Sequence, residues 1–346
     1  MVALQRFNEL EERTIKLDKK DNRIIEILLS NSRTPFTRMA KEVMLSKDAV
    51  KYRITKLQER GLLLGFFPQL DYQSLGFEEF KIRLLLDESK KDLQKELIKG
   101  AMKHPNVQRI VEYSDRWDVE IVVLARDMHM FDDIDLEMTN KFKGVILQKE
   151  KIPIVKHYLK DCCPFEFGQD QEFIDRLKEV QKKVKTKIKI DDKDRLILKE
   201  LSENARQSTY EISPKAKLSA DAVGLRIKKL KNAGIIEKFT VALNYSMLNY
   251  HLYSFEADLS ALDVESETKL REFSVNHPYI FSAKKTMGYY DVIFKLTTKH
   301  AKNLHLTING IKEHFATSIK DYETLIGFRE SYFNPFPVAL LGYNKI

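Results

Sequence analysis

The chain has few cysteines, few glycines and no long apolar run, and each shortage removes a class of function. Its two cysteines are the adjacent pair Cys162-Cys163, so neither a disulfide framework nor a four-cysteine zinc site can be assembled from them. The glycines fall into neither a GxGxxG fingerprint nor a Walker phosphate loop, and no cluster of metal-ligand type is visible. No apolar stretch approaches the roughly 18 residues that a membrane-spanning helix needs. Val2 to Lys16 alternates charged and apolar residues and lacks a signal-peptide core, so the expected location is the cytoplasm. What is present is a globular composition, 43% hydrophobic and 32% charged. A length of 346 residues accommodates two to four domains. The formal charge of +8 favours an acidic partner, although a solvated lysine surface gives the same balance.

The dominant signal is internal repetition. Leu45 to Gly61, LSKDAVKYRITKLQERG, returns as Leu218 to Gly234, LSADAVGLRIKKLKNAG, at an offset of 173 residues. The same offset relates Asp18, Asp21, Asn31 and Arg33 to Asp191, Asp194, Asn204 and Arg206. It also relates His104-Pro105 to His277-Pro278 and Asp118-Val119 to Asp291-Val292. The chain is a duplication, and whatever one half is, the molecule has two.

Residues 1–16 read as an N-terminal amphipathic helix, with Leu4, Phe7 and Leu10 on one side. Residues 17–76 read as three helices and a wing. The first helix, over 18–30, is capped by Asp18. The second starts at Thr34-Pro35, and the third runs from the N-cap Ser46 to the stop Gly61. Leu62 to Tyr72 reads as a two-stranded wing turning near Pro68. Residues 77–165 follow the order β-α-β-β-α-β of a ferredoxin-like unit. A lysine-rich stretch, 166–189, reads as a solvated spacer, with a phosphate-tracking arm as the alternative. Residues 190–249 repeat the three helices and wing in altered form, 250–337 repeat the βαββαβ order, and 338–346 form a tail. The fold class is α+β, with each half a winged helix-turn-helix domain followed by a ferredoxin-like domain.

On a wheel of about 100° per residue, Val50, Ile54 and Leu57 share one face of the third helix. Asp48, Lys51, Tyr52 and Thr55 lie opposite, with Lys47 and Lys56 on the flanks and Arg53 nearer the buried side. A short helix after a tight turn, basic and polar outside, fits the DNA major groove. Ser46, Lys47, Lys51, Tyr52, Arg53, Thr55 and Lys56 are therefore the candidate DNA contacts of the first copy. The second copy is altered. Lys51-Tyr52 becomes Gly224-Leu225, which carries no base-reading hydrogen bond, and glycine costs about 1 kcal/mol within a helix. Its second helix opens on a Ser208…Glu211 capping box and then meets Pro214, which is expected to break or shorten it. Arg226, Lys228, Lys229 and Lys231 remain as phosphate contacts.

Each half resembles a complete Lrp/AsnC (feast/famine) transcription regulator. The likeness rests on Leu17-Asp18…Asp21…Ile24…Leu28…Asn31…Arg33, on Leu45-Ser46…Val50…Arg53-Ile54…Leu57…Gly61, on Leu70-Asp71-Tyr72…Leu75-Gly76, and on their second-half counterparts from Ile190-Asp191 to Gly234-Ile235-Ile236. The resemblance implies double-stranded DNA as partner, and self-association through the βαββαβ domains. It also implies an amino-acid-like effector near a Gly-x-Tyr-Asp-type turn, and no other cofactor. Met287, Gly288, Tyr289, Tyr290 and Asp291 match that turn, although a tight turn with a capping aspartate accounts for them equally well. In the first half Asp115 stands where glycine is expected. With both halves in one chain, an intramolecular pseudo-dimer with unequal DNA half-sites is expected, and higher assembly from it is open.

Alternatives of other classes are an architectural DNA binder with little sequence preference and an enzyme on the same scaffold, since siroheme decarboxylases resemble this family. Such an enzyme requires a His- and Arg-lined cavity, and no converging His/Arg/Tyr set is visible in the sequence. The expectation is a non-enzyme.

Overall fold

The computed structural model describes residues 4–10, 13–161, 188–260, 262–316 and 318–342. Cys162-Cys163 and all but the last residues of the basic spacer lie outside the described residues. The first half opens with helices α1 (Lys19–Asn31), α2 (Phe36–Val43) and α3 (Lys47–Glu59). Ile24, Ile25 and Leu28 of α1, Met39 and Val43 of α2, and Val50, Ile54 and Leu57 of α3 are buried together. Asp18 and Asp21 cap α1 reciprocally, each carboxylate accepting from the other's backbone N–H. Gly61 stops the third helix at φ +81°, a left-handed position that a side chain strains. Thr34 does not cap the second helix. Its hydroxyl donates back to the Asn31 carbonyl, and Pro35 takes the N-cap position.

Strand β1 (Leu63–Leu70) follows, then β2 (Glu78–Leu86), α4 (Lys91–Lys103), β3 (Val107–Tyr113), β4 (Val119–Ala125), α5 (Met128–Thr139) and β5 (Ile146–Leu159). The second half repeats this order. It consists of α6 (Asp192–Glu203), α7 (Thr209–Ala216), α8 (Ala220–Asn232), β6 (Ile236–Leu243), β7 (His251–Leu259), α9 (Val264–Asn276), β8 (Ile280–Thr286), β9 (Val292–Thr298), α10 (Ala301–His314) and β10 (Ile319–Phe333). Pro214 neither breaks nor shortens α7, which has the same eight residues as α2. It costs one backbone bond on a helix whose neighbouring carbonyl belongs to the exposed Tyr210, where water can replace it.

The expected two-stranded wing is a single strand in each half. β1 pairs antiparallel with β6, Leu63 opposite Leu243 and Leu70 opposite Ile236, so one ribbon joins the halves. Pro68 is tolerated within it because both strands of a two-stranded ribbon are edges.

The βαββαβ units close one eight-stranded antiparallel barrel in the order β10-β3-β4-β2-β5-β8-β9-β7. The long last strands make the closure. β5 pairs with β2 as far as Pro153 and with β8 from Ile154 onward. β10 pairs with β7 as far as Gly327 and with β3 from there. At this changeover a Cβ on Gly327 would stand 3.0 Å from the Leu252 side chain. Phe80, Ile82 and Leu84 turn outward beneath α4 and α5. Phe255, Phe294 and Leu296 do the same beneath α9 and α10. The alternate residues face the barrel lumen.

The N-terminal segment is not a helix. Residues 4–8 run along β10 and turn away at Glu9 and Leu10, with Leu4 N–H bonded to Phe333 O, Glu330 N–H to Phe7 O and Glu9 N–H to Phe328 O. Phe7 is buried and stacks on Tyr245, whereas Leu10 is exposed. An apolar period compatible with a helix loses here to a strand edge that offers hydrogen bonds. The tail crosses to the other units. Ala339 N–H bonds to Pro105 O, Arg195 donates to Leu340 O, and Leu340 is fully buried.

Candidate nucleic-acid interface

Two helix-turn-helix units must be held in a fixed relation for both to meet one duplex, and the structure supplies that hold by exchanged contacts. Ser32 N–H, just past α1, bonds to Phe239 O of β6, and Ala205 N–H, just past α6, bonds to Phe66 O of β1. Arg33 donates to the carbonyls of Ala205 and Gln207 at 2.5 and 2.8 Å. Its counterpart Arg206 returns the exchange to Ser32 O and Thr34 O. Both guanidinium groups also lie over a partner-strand ring, Arg33 over Phe239 and Arg206 over Phe66. The motif residues Asn31-x-Arg33 and Asn204-x-Arg206 are thus the clasp between the units.

The predicted DNA contacts divide into three groups. Ser46 caps α3 by accepting from Ala49 N–H and is exposed. Lys47, Lys51, Tyr52, Thr55 and Lys56 are all exposed along the outer face of α3, with the Lys56 ammonium 5.7 Å from the Tyr52 ring centre. This is the arrangement the wheel anticipates. Arg53 is turned inward instead, donating to Asp18 at 2.7 Å and Asp21 at 2.6 Å. Arg226 repeats this with Asp191 and Asp194. Hydrogen bonds donated to Asp18 and Asp21 raise the Arg53 pKa further, so both arginines act as charged anchors of the third helix to the cap of the first. In the second copy Lys228 and Lys231 are exposed, while Lys229 reaches the Lys189 carbonyl at 3.4 Å. Tyr210 of α7 is 79% exposed, and the outer face of α8 bares Leu225, 70% exposed. It is the more apolar of the two faces.

The expected effector residues form the β8–β9 turn. Met287 N–H bonds to Pro153 O of β5, the Tyr289 hydroxyl to Asp321, and the Asp291 carboxylate accepts from Leu259 N–H. Asp118 does the same for Leu86 N–H, so in both halves this aspartate ties the turn to the end of the neighbouring strand, β2 or β7. Asp115, standing in place of glycine, accepts from Ile326 N–H of β10.

Sequence reasoning missed a cavity of about 260 Å³ between the β1–β6 ribbon and the adjoining mouth of the barrel. Contrary to expectation it does bring histidine, arginine and tyrosine together: Arg6, Arg109, His157 and Tyr72, with Lys160 and Lys284. These come from five separate stretches of chain, so no local motif announces them. Most of these cations are met by carboxylates. Arg6 and Arg109 share Asp161 and Glu330, Lys160 is bonded to Asp71 and Glu237, and Lys284 is bonded to Glu79. Burial pushes the His157 imidazole down to about 3, despite Glu79 nearby, so it is neutral at physiological pH. At about 260 Å³ the cavity lies just below the usual size range of ligand pockets.

Among the described residues, no helix is long and apolar enough to cross a membrane. Comparison with known proteins agrees with the local chemistry. The model of the AsnC-type helix-turn-helix domain matches residues 17–58 and again 190–231. The uncharacterized HTH-type transcriptional regulator PH1916 of Pyrococcus horikoshii is 31% identical over 128 residues, which make up 36% of this chain and 84% of that protein. The HTH-type transcriptional regulator FL11 of Pyrococcus furiosus is 29% identical over 116 residues, 34% of this chain and 76% of that one. Each of these relatives thus corresponds to about one half of the duplication. Over nearly the whole chain the fold is that of the siroheme decarboxylase NirDL, with a TM-score of 0.60 across 94% of this chain and 97% of the other, at 14% identity. A likeness at that identity is one of architecture. The helix-turn-helix matched twice, and relatives covered over most of their length, lead to one conclusion: the chain belongs to the Lrp/AsnC family of helix-turn-helix transcription regulators.

Proposed function

We propose that this protein binds double-stranded DNA as a transcription regulator in which one chain does the work of a dimer, with the first copy as the stronger reader. The observation that carries the reading is the exchanged Arg33/Arg206 clasp with its β1–β6 ribbon, which holds two reading helices in fixed relation within one polypeptide. The exposed Lys51, Tyr52 and Thr55 of α3 offer charge and hydrogen bonds where α8 offers Gly224, Leu225 and Lys228. Unequal half-sites follow from that difference. An amino-acid-like effector would be met at the turn Met287–Asp291, which is exposed at Met287 and Tyr289 and tied to the other half through Pro153.

Selection of bound sequences from a random duplex pool at physiological salt tests the reading. The expected result is an enriched motif with one strong and one weak half. Retention of DNA without enrichment, and with a steep salt dependence, would replace it by architectural binding. Absence of retention would overturn it.

A further inference from the structure

Arg83 and Glu256 stand at the same position of the repeat, 173 residues apart. They lie on β2 and β7, strands on opposite sides of the barrel, and their side chains meet across the lumen. The guanidinium makes two hydrogen bonds to the Glu256 carboxylate, one of 2.7 Å, and both residues are fully buried. Of the other ion pairs that cross between the halves, two involve buried lysines of the second half. Glu120 of the first half lies 3.3 Å from Lys295 of the second, and Glu79 of the first 2.5 Å from Lys284 of the second.

The repeat positions equivalent to these four are all apolar. Glu120 corresponds to Ile293, Lys295 to Val122, Glu79 to Leu252 and Lys284 to Val111. A barrel closed by two first halves would therefore set Arg83 against Arg83, each keeping only Glu120 and Glu150 of its own half. Glu120 would keep Lys81 of its own half but lose Lys295, and Glu79 would lose Lys284. One closed by two second halves would set Glu256 against Glu256 and leave Lys295 and Lys284 facing aliphatic side chains. Like charges buried at one point, or a buried charge stripped of its partner, are strongly destabilising.

We propose that the lumen faces of the two βαββαβ units are a recognition surface whose fitting partner is the opposite half of the repeat, and which rejects a second copy of itself. The contacts are specific because they are repulsive in both wrong pairings, as well as attractive in the right one. Duplication of a self-pairing unit leaves three possible pairings, and this set of charges retains one. The inference concerns pairing of the halves and does not rest on DNA binding.

The test uses three full-length variants. Arg83→Glu places glutamate at both positions, Glu256→Arg places arginine at both, and the double exchange R83E/E256R restores opposite charges. Each single variant is expected to unfold about 10 °C below the parent. The double exchange is expected to recover part of that loss, because the new carboxylate at 83 lies beside Glu120 and Glu150, and to keep the parent's mass in sedimentation. The two single variants, refolded together in equal amounts, are expected to complement each other. Their mixture should unfold above either alone, as a species of twice the 40.6 kDa chain mass, because the arginine-bearing half of one chain then has a glutamate-bearing half of the other. The proposal is overturned if the double exchange is no more stable than the singles, or if the mixture behaves as the sum of its separate components. None of these readouts involves DNA, so failure of the regulator reading leaves the test intact.

Discussion

Lys51 and Lys228 occupy corresponding faces of α3 and α8, and both are exposed. The difference between the copies lies in their neighbours. Tyr52 and Thr55 flank Lys51, whereas Gly224 and Leu225 accompany Lys228. Lys51→Glu is expected to weaken binding to the selected duplex about tenfold or more, and Lys228→Glu about two- to threefold. Fluorescence anisotropy titration reads this directly, and equal losses would remove the asymmetry between the copies. The histidines of the repeated His-Pro pairs are turn residues. Nδ1 of His104 accepts from Asn106 N–H, and Nδ1 of His277 from Tyr279 N–H, a role that requires neutral imidazole. Burial lowers His277 from 6.5 to about 4. Between those values the unfolded chain binds a proton that the folded chain refuses, so this group makes stability fall as pH drops from about 6.5 to 4. His277→Asn, whose side-chain carbonyl can accept the same bond, is expected to remove about 1–2 kcal/mol of that fall. Urea unfolding of both proteins across the window measures it, and parallel slopes would exclude His277 as a source.

At the scale of elements, local chemistry was readable at most caps and stops, Thr34 being the exception. The Asp18/Asp21 and Ser208/Glu211 boxes and the stop Gly61 stand where their residue types place them. So does the βαββαβ order. Two misreadings, the N-terminal helix and the wing hairpin, share a cause, since each concerns a segment whose hydrogen bonds go to a distant stretch of chain. The N-terminal segment takes its partners from β10, and the expected wing hairpin becomes one strand because β6 supplies the pairing that a second wing strand would have given. The tail is a third such element, with Phe336 and Leu340 buried against parts of both halves. Deleting residues from Pro335 onward is expected to cost about 3 kcal/mol or more, from the loss of those two apolar side chains. The barrel should persist in far-UV circular dichroism while the urea midpoint falls. An unchanged midpoint would show that the tail contributes nothing to the described core.

For the molecule as a whole, the amino-acid sequence alone determined that there are two copies, what each copy is, and which reading helix carries the richer polar face. Those properties follow from side chains one to four residues apart on one helix, or from identity at a constant offset, and need no knowledge of long-range contacts. The sequence could not say what faces the lumen. Glu79, Lys81 and Arg83 alternate with Phe80, Ile82 and Leu84, the pattern of a strand with one face in water. Tertiary structure decided otherwise. Closure of the barrel turned that polar face inward and made Arg83 and Glu256 partners, and the ribbon of β1 with β6 turned Arg33 and Arg206 into a clasp. It also gathered Arg6, Arg109, His157 and Tyr72 around one cavity. The physical reason is the same in each case: the energy of a buried charge depends on the group it meets, and that group is supplied by a remote part of the chain only once the barrel has closed.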